Sequence, residues 1–166
     1  PFEFSPGPLP DGDHTVHVRA TDAVGNVQTE MLSLSLFVDT TSPPLPTHIS
    51  PPDGTFTTTA NQTYIDWSDV SDPEGNGPVH YLYQAAHSPA VNSDGSFVSP
   101  IYNSSSLSSS QIGTLGTPAG VYYWHVRALD GLGNLGPWSE PWQITVDNTA
   151  PLAPGTPWSL PNPTNG

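Results

Sequence analysis

Oxygen-bearing side chains crowd one short stretch of the chain. Asp69, Asp72, Glu74 and Asn76 fall between two apolar runs, in a segment broken by Pro73, Gly75 and Gly77. Calcium takes about six to eight oxygens, and Asp72-x-Glu74-x-Asn76-Gly77 matches the opening of an EF-hand loop. The match stops at Tyr83, where that loop needs a bidentate acid. The four residues are a calcium-binding candidate, set against a solvated Asp/Gly turn between two strands. Calcium is the one cofactor this composition suggests. A second acidic pattern recurs along the chain: Asp22 and Asp130 open Asp-x-x-Gly-Asn turns, and Asp39 and Asp147 each stand just before a Pro-rich segment. Acids at a domain junction could share a calcium ion and stiffen it. Alternatively, Asp22 and Asp130 accept hydrogen bonds from turn amides, with Gly25 and Gly133 supplying positive φ.

Trp138 and Trp142 offer planar faces of the kind on which glycans stack, and strand alternation would put both on one face. The competing reading is that they plug the end of a core and a domain junction, with Trp158 anchoring a linker. Asn61-Gln62-Thr63 and Asn103-Ser104-Ser105 match the N-glycosylation acceptor pattern. Catalytic signatures are missing: the six histidines lack close metal-ligand spacing, the serines cluster in a turn-like run at 104–110, and neither a Gly-x-Ser-x-Gly elbow nor a phosphate loop is present. The chain reads as non-enzymatic.

The elements that would position these residues follow from composition and repetition. Fifteen acids face two bases, giving a formal charge of −13. Such a field repels phosphate backbones and anionic lipid surfaces, so nucleic acid and membrane surfaces are excluded as partners. No apolar run approaches the ~20 residues of a membrane span. The two bases occupy equivalent places, because His17-Val18-Arg19-Ala20-Thr21-Asp22-Ala23-Val24-Gly25-Asn26 returns 108 positions later as His125-Val126-Arg127-Ala128-Leu129-Asp130-Gly131-Leu132-Gly133-Asn134. The register holds to Val38-Asp39-Thr40-Thr41-Ser42-Pro43 and Val146-Asp147-Asn148-Thr149-Ala150-Pro151. A constant period of that size predicts tandem domains of one kind.

Twenty-one prolines and fifteen glycines cut the chain into short runs that alternate with period two. In residues 120–128, Tyr122, Trp124, Val126 and Ala128 make an apolar face, and Tyr123, His125 and Arg127 a polar one. Strands are predicted at 13–20, 31–39, 55–59, 62–68, 79–86, 96–103, 106–112, 120–128 and 140–147. Residues 1–42 then supply the closing strands of one unit and 43–46 a Pro-rich linker. A complete unit occupies 47–148, and 149–166 hold a linker and the start of a further repeat. The chain opens inside a unit, which points to a segment of a longer polypeptide.

The order Ile65-Asp66-Trp67-Ser68, Asp72-Pro73-Glu74-Gly75, Val79-His80-Tyr81, Gly120-Val121-Tyr122-Tyr123-Trp124-His125-Val126-Arg127-Ala128, Trp138-Ser139 and Val146-Asp147-Asn148-Thr149-Ala150-Pro151 resembles the fibronectin type III and related immunoglobulin-like repeats of large bacterial surface proteins. The resemblance implies an all-β, antiparallel sandwich in tandem, with Trp67 as core tryptophan and Tyr122 opening the strand packed against it. The first unit departs from it, with His14 in place of Tyr122 and Val16 in place of Trp124. The expected role is an extracellular or cell-surface spacer, stalk or filament-forming module whose partners are neighbouring repeats or other copies of itself, assembling by strand complementation. A glycan- or surface-binding adhesin module, or an accessory domain of a secreted hydrolase, is the alternative.

Overall fold

A computed structural model describes residues 7–59, 63–75, 77–113 and 116–155. The described chain is all-β and contains no helix. Strands β1 (Gly12–Val18) and β2 (Leu32–Val38) pair antiparallel as a two-stranded ribbon. Strands β3 (His48–Ser50), β5 (Tyr64–Trp67) and β8 (Gln111–Gly113) form a three-stranded sheet in the order β3-β5-β8. The largest sheet runs β4-β10-β9-β6-β7, from β4 (Thr55–Thr57), β10 (Trp142–Val146), β9 (Gly120–Leu129), β6 (His80–Ala86) and β7 (Pro100–Asn103). Its pairings are antiparallel apart from β4 with β10.

Period-two alternation creates the core. Tyr122, Trp124, Val126 and Ala128 of β9, Tyr81, Tyr83 and Ala85 of β6, and Ile144 and Val146 of β10 meet Ile65 and Trp67 of β5 in one cluster. Trp67 stacks on Tyr83 with centroids 6.3 Å apart and meets Tyr81 edge-on at 5.6 Å. Trp124 is met edge-on by Trp142 at 6.1 Å. Burying a side chain of this size stabilises the fold by roughly 3 kcal/mol, so these aromatics hold the five-stranded sheet to its three-stranded neighbour.

The outer face of β9 differs from the polar surface expected. His125 is fully buried there. Residues 87–98, between β6 and β7, fold back over the sheet, closed by a Val91–Phe97 bridge and a tight turn in which the Asn92 N–H donates to the Ser96 carbonyl. His125 stacks on Phe97 with centroids 3.9 Å apart and on Trp138 at 4.2 Å, while the Arg127 guanidinium lies 4.5 Å from the Trp138 centroid. Gly95 permits this approach, since a Cβ there would come within 3.2 Å of the Trp138 ring and its φ is +82°. Gln84 Oε1 accepts from the Phe97 N–H, so the His125 Nε2 at 2.9 Å from it carries the proton. Alternation assigned the faces of β9 but could not reveal a second layer built from turn residues. The excursion also delays β7 to Pro100, and the strand expected at 106–112 shrinks to Gln111–Gly113. Strand β3, only three residues ahead of Pro51-Pro52, was not anticipated.

Burial holds the imidazoles of His48 and His125 down to about 4 from an ordinary 6.5, and for His125 the facing His48 and Arg127 act in the same direction. An unfolded imidazole takes a proton below about pH 6.5, whereas the folded one resists until about 4. The stabilisation is therefore full above pH 6.5 and declines as pH falls toward 4, by at most about 1.4 kcal/mol per pH unit for the buried His125 and by less for the half-buried His48. Denaturant unfolding between pH 7 and 4.5 should show this slope, and His125→Phe should flatten it.

Candidate functional site

The most constrained polar region lies where the ribbon's exit segment meets the two-sheet body. Beyond β2, Asp39 turns the chain by accepting from the Thr41 N–H at 2.9 Å. Asp11, just ahead of β1, grips the same segment: its Oδ1 accepts from the Thr40 N–H and hydroxyl at 2.9 and 2.8 Å, and its Oδ2 from the Thr41 hydroxyl at 2.6 Å. These hydroxyl bonds hold the Asp11 carboxyl below its ordinary value. The Pro-rich residues that follow are a packed strap: Pro43 and Pro46 are fully buried.

The strap's receptor is the turn after β9. Asp130, 3% exposed, accepts through Oδ1 from the N–H groups of Leu132, Gly133 and Asn134 at 2.9, 2.7 and 2.9 Å, and through Oδ2 from the Asn134 side chain at 2.8 Å. Burial alone would push its carboxyl up, but the bonds from Asn134 and the turn amides outweigh it and hold it below the ordinary value. Gly133 completes the turn with φ of +95°. So fixed, Asn134 Nδ2 donates to the Asp39 carbonyl at 3.0 Å. Two residues on, a Cβ on Gly136 would lie 2.6 Å from the Pro43 carbonyl oxygen. The strap seats only because that backbone is bare.

Asp72, from the turn between β5 and β6, also arrives here. Carboxylate oxygens of Asp39, Asp72 and Asp130 lie within 4.8 Å of one another. These are the residues that could hold a divalent cation, as hard oxygen donors. They differ from the expected set: Asp69 and Glu74 are exposed and do not gather with Asp72, and Asn76 lies outside the described residues. The junction acids and the turn acid, read separately from sequence, meet in one place. What sequence did not reveal was Gly136, whose signal was an Asn-x-Gly ending to the turn.

Trp138 and Trp142 do not share a face. Trp138 stacks on His125 outside β9, whereas Trp142 pairs across from Trp124 on the core side and stacks on His48 at 4.3 Å. Alternation misplaced Trp138 because it precedes the strand. Of the glycosylation candidates, Asn103 is exposed on β7 with its Oδ1 accepting from Gln84 Nε2 at 2.7 Å, and Asn61 lies outside the described residues, as does Trp158. Ser139 Oγ lies 3.1 Å from His48 Nε2, but Ser139 is buried and its oxygen already accepts from the Val126 N–H at 3.0 Å. Arg127 packs over an aromatic ring; Arg19, 108 positions earlier, is exposed.

No protein-family model matches the chain, and no curated protein matches it.

Two substitutions test the junction. Gly136→Ala should unseat the strap, costing about 1–3 kcal/mol as an overpacking change and speeding amide exchange of residues 40–47 at least about tenfold, with the body still folded. Asp72→Asn removes one of three neighbouring negative charges and should stabilise the protein by about 1 kcal/mol without divalent ions. A reversal of that sign in millimolar calcium would show the carboxylates holding an ion.

Proposed function

We propose that this chain is a non-enzymatic structural repeat of an extracellular or cell-surface protein, in which fibronectin type III-like sandwiches are strung as a spacer, stalk or filament. Residues 47–148 are one complete unit, 1–42 the closing strands of another, 43–46 the linker, and 149–166 a linker with the start of a further repeat. The observation that carries this reading is a hairpin, turn and exit segment built twice at the 108-residue period. Asp22 accepts from the Val24 and Asn26 N–H groups at 3.0 and 2.8 Å and from the Asn26 side chain at 2.7 Å, as Asp130 does in its own turn. Gly25 and Gly133 have φ of +92° and +95°. Ribbon β1–β2 occupies the register of β9–β10, with Val38 and Val146 as last residues.

The sandwich assignment is supported by strand order, with β3-β5-β8 facing β10-β9-β6-β7 across one core. The Tyr122 hydroxyl also donates to the Pro118 carbonyl at 3.0 Å, the back-bond of a tyrosine corner at the start of that strand.

The ribbon explains why such a module would join others. Its face of Val16, Val18, Leu32, Leu34 and Leu36 matches the β9–β10 face that the body covers with Ile65 and Trp67, yet Val18, Leu32 and Leu34 are 55%, 69% and 61% exposed. Unit completion requires a sheet over this face and a strand beside β1 where β9 has β6; among the described residues β1 pairs only with β2. Strands from a neighbouring repeat or another copy supply them. Sedimentation at hundreds of micromolar should show self-association that Val16→Asp with Leu34→Asp abolishes, the unfolding midpoint of the body staying within a few degrees. A strictly monomeric chain whose residues 12–38 resist exchange would contradict the reading.

A further inference from the structure

Resting on the repeat reading, we propose that Asp147 to Pro154 is the docking half of a second junction, and that the partner it fits is a following unit of the same kind presenting an Asn-x-Gly turn. The strap that seats on the body reads Asp39-x-Thr41-x-Pro43-x-x-Pro46, and the exit segment reads Asp147-x-Thr149-x-Pro151-x-x-Pro154. The strap residues seated on the Asp130 turn, Asp39, Pro43 and Pro46, and the Thr41 whose N–H closes the Asp39 turn, recur at the same spacing; Asp11 and Thr40, which clamp the first strap from the ribbon side, are replaced by Ala119 and Asn148. The local conformation recurs too: Asp147 accepts from the Thr149 N–H at 2.8 Å, as Asp39 does from Thr41 at 2.9 Å. The two segments differ in cover. Pro43 and Pro46 are fully buried, whereas residues 147–154 are exposed throughout, Leu152 at 95%.

The partner's chemistry follows from the first junction. It must offer a side-chain amide to the Asp147 carbonyl, as Asn134 does to Asp39, and a backbone without Cβ beneath the Pro151 carbonyl, as Gly136 does beneath Pro43. The turn at Asp22 fails the second requirement. Gln28 stands where the other turn has Gly136, and its backbone is held alike, with Gln28 N–H on the Ala20 carbonyl at 2.8 Å and Gly136 N–H on the Ala128 carbonyl at 2.9 Å. A Cβ there occupies the carbonyl's place. The Asp130 turn of a second copy meets both requirements but is filled by its own strap. A following unit in the same polypeptide is therefore the occupant.

The test is a chain in which residues 1–154 run directly into a second copy of residues 47–155, in register with the way Thr47 follows Pro46. Nuclear relaxation and amide exchange are read on both units. The expected result is joint tumbling, with exchange of residues 147–154 slowed at least tenfold, both lost when Gly136→Ala is placed only in the added copy. Two folded units that tumble independently, with 147–154 exchanging freely, would overturn the docking proposal and leave the repeat reading standing. An added copy that fails to fold would overturn the reading of residues 47–148 as a complete unit, and the proposal with it.

Discussion

The close approach of the Pro43 carbonyl to the bare backbone of Gly136 is the constraint on which the rest of the junction depends. It requires the turn ahead of Gly136 to be rigid, and Asp130 makes it so by collecting four donors on one carboxylate. That turn in turn aims Asn134 at Asp39. A proline strap in solution would be a stiff but unattached spacer. Here it is part of the protein interior, so the direction in which the ribbon leaves the body is fixed by packing as well as by proline stereochemistry.

The body that receives the strap has cover on both sides of β9. On one side, Trp67, Tyr83 and Trp124 fill the space between the sheets; on the other, Phe97, His125 and Trp138 stack beneath the 87–98 excursion. A chain with only 10% charged residues and no disulfide gains from this arrangement. Aromatic stacking adds about 1 kcal/mol per pair beyond area burial. The cost is two imidazoles kept neutral, which ties stability to pH above the range where carboxylates titrate.

Much of this was legible in the sequence because it is local. The 108-residue register located the ribbon, the turns and both exit segments, and alternation found the inward face of β9 down to Trp124 and Val126. What stayed hidden depends on pairs distant in sequence. Gly136 reads as an ordinary turn glycine until Pro43 is set against it, and Asp72 reads as a member of a local acidic loop until Asp39 and Asp130 arrive. Phe97 and Trp138 lie in segments rich in turn residues, where no periodicity marks them as cover for His125. Trp138 and Trp142, four apart, were placed on one face by counting, but the first lies outside the strand and the count does not apply to it.

The buried strap makes the ribbon and the body one stiff element. Residual dipolar couplings measured for the amides of β1–β2 and of the five-stranded sheet in the same weakly aligned sample test it most directly. The account predicts a single alignment tensor fitting both sets of couplings. Two tensors differing in magnitude or orientation would mean that the strap is a hinge, and would contradict it.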